Sequence, residues 1–305
     1  MLGRRQLREK AMQSIYAWKM SGKLADPRIV EKNMMKGVNE IYDLYIYLLN
    51  LLKFQKEIAL NKIEVAKVKN FPTEQDLNPN LKFVENPIFR FLDENNELNS
   101  YTEKNKQLVW DNLENDYPKK IFNKIISSDE YQKYMSDTEN SFEKDRAFVV
   151  DIYEKHIATN DYLAEWLEDR SIHWSDDFHI GNSMVIATLK SFIPKSNPSF
   201  NLFKVFKDDE DREFLTRLFR NTINDDDTTR KMIDDKAKNW DLDRIATLDL
   251  IILQMALTEF HCFKNVPPKV ILNEYIELSK IYSTDNSHVF VNGILDKVIK
   301  ETQRF

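Results

Sequence analysis

The 305-residue sequence is poor in cysteine, glycine and uninterrupted apolar runs. Its single cysteine, Cys262, excludes a disulfide within the chain and fits a reducing compartment. A membrane helix needs about 18 or more consecutive apolar residues, and the richest run, residues 44–52, is interrupted by Asn50. The basic N-terminus also lacks the apolar core of a secretory signal. These absences predict a soluble cytoplasmic protein without a membrane segment.

The scarcity of glycine also favours helices over a sheet. Only five glycines occur, and the stretches rich in Leu, Ile, Lys, Glu and Asn lack the period-two alternation of strands. With 42% hydrophobic and 31% charged residues, the chain has the composition of a globular protein and the length for two subdomains. The sequence therefore predicts an all-α fold of two subdomains.

The net charge of −6 is unevenly distributed along the chain. Residues 1–23 carry six basic residues against one acid, a charge of +5, whereas basic and acidic residues balance in 236–305. The middle segment, 24–235, holds the remaining −11. A basic arm beside a neutral C-terminal region allows a local positive site on an acidic protein.

The basic arm has the periodicity of an amphipathic helix. One predicted face is apolar and consists of Leu7, Ala11, Ile15 and Trp18. The roughly opposite face consists of Arg5, Arg8, Met12, Tyr16 and Lys19. A solvated basic face is the ordinary interpretation of such a pattern. Tyr16 among the cations favours RNA binding instead, because RNA-binding proteins combine cations for phosphates with flat side chains for bases.

Two further helices are predicted near the C-terminus. The first follows Pro267 and Pro268, ends near Tyr282, and has its periodic positions at Val270, Ile271, Glu274, Leu278 and Ile281. The second has an apolar face of Val291, Ile294, Leu295 and Val298. Gly293 lies inside this second helix, where glycine costs about 1 kcal/mol relative to alanine. We therefore expect a neighbouring backbone to pack closely against Gly293.

The middle of the chain contains no recognisable chemical motif. Asp26 is suited to cap a long helix that continues toward Val68, after which four prolines divide shorter helices. Residues 25–140 are acidic and do not interleave basic with aromatic residues, so we expect them not to contact nucleic acid. No P-loop, Gly-rich dinucleotide turn or nucleophile elbow occurs in the sequence, which predicts neither an enzyme nor a cofactor.

An internal similarity relates residues 145–194 to 211–260 at a shift of 66 residues. The identical pairs begin with Asp145 and Asp211, and include Trp174 with Trp240 and Asp177 with Asp243. The pattern indicates either a duplicated set of helices or a chance similarity between amphipathic helices.

The repeat also bears on a candidate metal site in its first copy. The residues are His173, Asp176, Asp177 and His179, and their counterparts are Asn239, Leu242, Asp243 and Ile245. Because the second copy does not share the ligand set, helix capping explains the acids better than a metal does, and no metal is predicted.

Three segments of the chain resemble the NusB family of bacterial transcription antitermination factors. They are RRQLREKAMQSIYAW (residues 4–18), NWDLDRIATLDLIILQMALTEF (239–260), and PPKVILNEYIELSKIY with SHVFVNGILDKV (267–298). Typical members are much shorter, and residues 25–140 find no counterpart in them. The resemblance implies a basic N-terminal helix (1–24), an acidic helical insertion (25–141) and a family-like region (142–305). Within that region, 142–192 is a diverged repeat copy, 208–260 the second copy, and 266–305 the motif helices.

The resemblance also implies a function without catalysis. The family binds single-stranded boxA RNA of ribosomal RNA operons together with NusE, a small-subunit ribosomal protein, and so keeps RNA polymerase elongating. The matching RNA-binding positions are Arg4, Arg5, Arg8, Tyr16, Ser287, His288, Phe290 and Asn292. Asp249 and Asn286 match positions near the surface shared by RNA and protein partner. From periodicity alone, Phe290 at the edge of the apolar face favours a core position, and only the resemblance favours the RNA surface. The alternative function is a helical protein-interaction scaffold in which RNA binding has faded.

Overall fold

A computed structural model describes residues 1–110, 116–195, 200–236 and 245–302 of the chain. Within these ranges the regular structure is helical, and no strand is present. The predicted all-α fold is therefore confirmed. None of the helices in the described ranges combines the length and the apolar character needed to cross a membrane.

Short polar connections separate the helices. In chain order, those up to residue 136 are α1 (Arg4–Met20), α2 (Pro27–Lys67), α3 (Glu74–Leu77), α4 (Pro87–Asp93), α5 (Asn96–Lys104), α6 (Tyr117–Ile126) and α7 (Asp129–Ser136). Those that follow are α8 (Phe142–Tyr153), α9 (Asp161–Arg170), α10 (Ile172–Ser191), α11 (Asp209–Asn224), α12 (Asp226–Lys236), α13 (Thr247–Cys262), α14 (Pro268–Tyr282) and α15 (Ser287–Thr302). A π-helical segment, Glu154–Ala158, continues α8.

The chain forms two compact units. The first unit combines Met1–Val38 with Phe206–Phe305, and the second unit is Asn39–Val205. The repeat copy 142–192 lies in the second unit, and the copy 208–260 lies in the first. The division of the sequence into 1–24, 25–141 and 142–305 stays a prediction, since compactness does not report which residues were inserted.

The first unit is built around α13. This helix packs against α1, α11, α12, α14 and α15, and its residues from Leu250 to Glu259 are all buried. A helix enclosed on every side needs apolar residues around its whole circumference, which the run LIILQMAL supplies. The predicted apolar faces of α1 and α15 are confirmed, because the following residues are buried: Leu7, Ala11, Ile15, Trp18, Val291, Ile294, Leu295 and Val298.

The predicted face of α14 is only partly correct. Ile271 and Leu278 are buried, and the helix ends at Tyr282 as predicted. Val270 and Ile281, however, are 45% and 62% exposed. The buried face is instead completed by Tyr275 and Ser279, which are both enclosed.

A close approach of the kind predicted for Gly293 occurs instead at Gly181, in the second unit. A Cβ atom added to Gly181 in α10 would lie 2.9 Å from Cγ of Leu44 and 3.2 Å from Cδ1 of Leu48. A Cβ atom at Gly293 would have open space around it. The expectation for Gly293 is therefore wrong, because its position in α15 faces outward and makes no backbone contact.

The helix boundaries support the proposed duplication. Shifted by 66 residues, α8 with its π-helical continuation covers 208–224, and α11 covers 209–224. The same shift moves α9 to 227–236, where α12 covers 226–236. Helices α8 and α9 pack on α10 just as α11 and α12 pack on α13. The predicted counterparts Asn239, Trp240, Leu242 and Asp243 lie outside the described residues.

Candidate nucleic-acid interface

Arg8 lies inside the first unit and is only 3% exposed. Its Nε donates to Oε2 of Glu259 at 2.8 Å, and its Nη2 donates to Oε1 at 2.5 Å. Tyr275 also donates its hydroxyl to Oε2 of Glu259, at 2.8 Å. Burial is the largest influence and opposes the charge of Arg8, but the hydrogen bonds to Glu259 and the electrostatic interactions with Tyr275, Glu259 and Glu274 together outweigh it, so the pKa of Arg8 is raised. This placement corrects the expectation of an exposed Arg8, because an enclosed guanidinium is not available to a surface phosphate.

Arg4 and Arg5 remain at the surface, but both have acidic partners. Arg5 donates from Nε and Nη2 to the two carboxylate oxygens of Glu274, each at 2.9 Å. Arg4 donates to Asp211 at 2.7 Å and lies 4.4 Å from the ring centroid of Phe214. The Arg5 side chain is 44% exposed and the Arg4 side chain 39%. A phosphate can therefore reach both guanidinium groups, but it must compete with a carboxylate for each.

The rest of the polar face of α1 is less basic than the sequence suggested. Tyr16 is half-buried, and Glu9 lies on the same side of the helix between Arg5 and Tyr16. The hydroxyl of Tyr282, the last residue of α14, donates to Glu9. Lys19 is bonded to Asp226. This face thus combines cations with acids, and it contacts the end of α14.

The start of α15 is fixed to α13 by a buried hydrogen bond. Ser287 is 3% exposed and donates from Oγ to Oδ2 of Asp249 at 2.7 Å. Asp249 is also buried, and its other oxygen, Oδ1, has no hydrogen-bond partner within the described chain. The expectation that Ser287 and Asp249 form part of the exposed surface is therefore corrected. They connect the first turn of α15 to the central helix.

The other predicted residues of α15 reach the surface. Asn286 and Asn292 are exposed, and His288 and Phe290 are half-buried. Val289 is 61% exposed, although the sequence analysis did not single it out. Asn286 and the first two turns of α15 thus present an aromatic ring, an imidazole, two amides and an apolar side chain. Such groups suit contacts to unstacked bases better than contacts to phosphates.

A cleft of about 970 Å³ opens beside the start of α1. Its walls are the first turn of α1, α11, the segment 262–266 and α14. Three of its residues were missed by the sequence analysis: Arg217, Phe263 and Lys264. The guanidinium carbon of Arg217 lies 5.0 Å from the ring centroid of Phe263, which packs edge-on against Phe214. Charge–aromatic spacing gave no signal here because Arg217 lies in α11 whereas Phe263 follows the end of α13, 46 positions later.

Comparison with known proteins shows what the C-terminal helices of this candidate interface are similar to. The sequence profile described as the NusB family matches residues 187–300. The transcription antitermination protein NusB of Salinibacter ruber is 42% identical over 93 residues, which cover 30% of this chain and 58% of that protein. The chain thus spans less than two thirds of that relative. No solved structure matches the chain.

Two other relatives are covered more completely. The transcription antitermination protein NusB of Finegoldia magna is 41% identical over 93 residues, covering 30% of this chain and 68% of that protein. That of Methylacidiphilum infernorum is 38% identical over 97 residues, covering 32% of this chain and 68% of that protein. The profile match and these relatives, together with the all-α first unit, show that the chain belongs to the NusB family.

Proposed function

We propose that the protein is an RNA-binding transcription antitermination factor. It would bind single-stranded boxA-type RNA of ribosomal RNA operons together with NusE, and act in the cytoplasm on the RNA polymerase elongation complex. The name of its relatives, transcription antitermination protein, supports this proposal. The interface offers binding groups for RNA, and we assign it no reaction.

The main structural support is that α13 holds both proposed RNA-binding helices. Arg8 connects α1 to Glu259 of α13, and Ser287 connects α15 to Asp249 of the same helix. The contact between Glu9 and Tyr282 brings α1 to the end of α14, five residues before α15 begins. The cations of α1 and the groups of α15 proposed to bind bases are thus both connected to one helix, α13.

These positions divide the predicted residues into two roles. Residues proposed to contact RNA are Arg4, Arg5, Tyr16, Asn286, His288, Phe290 and Asn292. Arg8, Ser287 and Asp249 hold the helices that carry them. Because carboxylates already pair with Arg4 and Arg5, the protein alone should bind RNA weakly, and NusE should supply additional contacts.

Fluorescence anisotropy with a labelled boxA oligonucleotide tests the proposal. We expect weak binding by the protein alone and tighter binding when NusE is added. The control is an oligonucleotide of the same composition in scrambled order, which should not gain affinity from NusE. Equal affinity with and without NusE would contradict the cooperative role.

The neutralised cations favour a second candidate, a helical protein-interaction scaffold. Pairing of Arg4, Arg5 and Lys19 with acids lowers the positive potential available to RNA. A scaffold would still bind NusE. The RNA affinity of the protein alone, and that of its complex with NusE, would then not depend on the boxA sequence. NusE binding in the absence of RNA, combined with equal affinity for the boxA and the scrambled oligonucleotide in the anisotropy experiment, would indicate the scaffold.

A further inference from the structure

The second unit contains a cluster of aromatic rings, with Tyr47 on α2, Trp110 in the connection after α5, Tyr117 on α6 and Trp166 on α9. The ring centroids of Tyr47 and Trp110 are 4.3 Å apart, and those of Trp110 and Trp166 are 4.8 Å apart, with interplanar angles of 22° and 27°. Trp166 also lies 5.9 Å from Tyr47 and 6.3 Å from Tyr117. Tyr47 and Trp110 are buried, whereas Trp166 and Tyr117 are half-buried. The cluster therefore extends from the interior of the unit to its surface.

A small cavity lies beside Tyr117, on the outer side of this aromatic cluster. Its volume is about 240 Å³, and its lining is Tyr117, Lys120, Ile121, Lys124, Asn160 and Tyr162. The four residues from α6 follow one face of that helix at intervals of three and four positions. Tyr162 is 65% exposed, and the Nζ atom of Lys124 lies 5.8 Å from its ring centroid. The cavity thus combines two tyrosine rings with two lysines.

The charges around the cavity are partly free to bind a ligand. Within the described residues, Lys120 and Lys124 make no ion pair, unlike Lys119, which lies 3.6 Å from Asp116. Burial and then the nearby carboxylate of Glu165 raise the pKa of Tyr117, so one acid also stands close to the site. The cations favour an anionic ligand, and Glu165 should weaken its binding.

We propose that this cavity is a binding site for single-stranded RNA, separate from the interface of the first unit. One unstacked base would enter between Tyr117 and Tyr162, and the adjoining phosphates would contact Lys120 and Lys124. Stacking on aromatic side chains together with cations for the backbone is how proteins bind single strands without reading their sequence. The volume is below that of pockets for drug-sized ligands and suits one planar ring system.

This inference revises the expectation that residues 25–140 do not contact nucleic acid. Tyr117, Lys120 and Lys124 lie within that segment, but Tyr162 and Trp166 lie beyond its end. Tyr117 and the two lysines already share one face of α6, but the second ring, Tyr162, joins them only when α9 folds against this region.

Binding of a labelled uridine hexamer to the full chain tests the site. Tyr162→Ala should weaken binding roughly fivefold to a hundredfold, the effect of losing one stacked base, whereas Tyr162→Phe should bind like the wild type. The double variant Lys120→Gln/Lys124→Gln should reduce the slope of log K against log salt by about 1.4, or about 0.7 per phosphate. Glu165→Gln should tighten binding. Lys119→Gln is the matched control and should have little effect.

Two further measurements distinguish this site from the interface of the first unit. A hexamer containing 4-thiouridine should cross-link to Tyr117 or Tyr162, and Arg5→Ala/Phe290→Ala should leave these cross-links in place. If the protein did not bind boxA RNA but still formed these cross-links, the result would count against the proposed function and not against the second site. The second site would be overturned if Tyr162→Ala and the double lysine variant both bound the hexamer as tightly as the wild-type protein does. The second site would also be overturned if an acidic peptide of the same net charge as the hexamer displaced it and the hexamer formed no cross-links to Tyr117 or Tyr162. That result would indicate a protein ligand.

Discussion

Arg8 and Glu259 are 251 positions apart in the sequence and form a two-bond ion pair in the interior of the first unit. Removing two charges from water is costly, and their attraction compensates only when geometry and additional hydrogen bonds are favourable. Tyr275 provides such a bond to Glu259. The pair therefore fixes the basic helix α1 on α13 and α14, and it determines which side of α1 faces outward.

We expect Arg8→Met to destabilise the protein by about 3–5 kcal/mol, because Glu259 would remain buried without its cation. The double variant Arg8→Met/Glu259→Leu should recover much of this loss, since apolar residues of similar size often replace a buried pair at little cost. Urea denaturation followed by circular dichroism measures both. A single variant as stable as the wild type would show that Arg8 is not held as described.

Arg5→Ala should weaken binding to every single-stranded RNA and reduce the slope of log K against log salt by about 0.7, the effect of one lost phosphate contact. Stability should change little, because exposed ion pairs contribute about 0–1 kcal/mol. The matched control is Arg220→Ala, since Arg220 forms an exposed two-bond pair with Glu31 outside α1. If both variants lose affinity equally, α1 has no special role.

The sequence was sufficient to predict helices, but not to predict which of their polar residues are exposed. Periodicity located the buried faces of α1 and α15, since burial of apolar side chains follows the helical repeat. Arg5 and Arg8 were assigned to one basic face. Their acids lie on α13 and α14, more than 200 positions away, so no local pattern separates the buried Arg8 from the accessible Arg5. The same applies to Ser287, whose partner Asp249 belongs to another helix.

Acid should destabilise the first unit through two paired carboxylates. The bond from Arg5 lowers the pKa of Glu274 below its ordinary value of 4.5. Burial raises the pKa of Asp226, but bonds from Lys19 and Lys23 outweigh it and the result lies below 3.8. A carboxylate whose pKa is lower in the folded than in the unfolded state stabilises the protein at any pH above its unfolded-state pKa. This contribution is lost as the pH falls through the folded-state pKa. The melting temperature should therefore fall as pH drops below 4.5, and Glu274→Gln should show a smaller fall.

Gly293→Ala and Gly181→Ala should change stability in opposite directions. Gly293 is exposed inside α15 with open space around it, so alanine should stabilise the helix by about 1 kcal/mol. At Gly181 the added methyl group would approach the Leu44 side chain within 3.0 Å, so the same substitution should destabilise the second unit. Thermal melting of both variants measures the difference. A stability loss at Gly293 would mean that α15 has a packing partner on that side.

Phe290→Ala should reduce RNA affinity without comparable damage to the fold. Phe290 is half-buried at the start of α15, and a base stacked on an aromatic ring contributes about 1–3 kcal/mol to binding. Because stacking involves no phosphate, the salt dependence of binding should hardly change, in contrast to Arg5→Ala.

The matched control is Val291→Ala at the adjacent, fully buried position, which should lower stability by about 1.5–3 kcal/mol and affect binding only through folding. If Phe290 were a core residue, its truncation would cost about 3–5 kcal/mol of folding stability. Melting and anisotropy on the same samples decide the matter: a variant that melts much earlier, or one that melts normally and binds RNA like the wild type, would exclude Phe290 from the RNA interface.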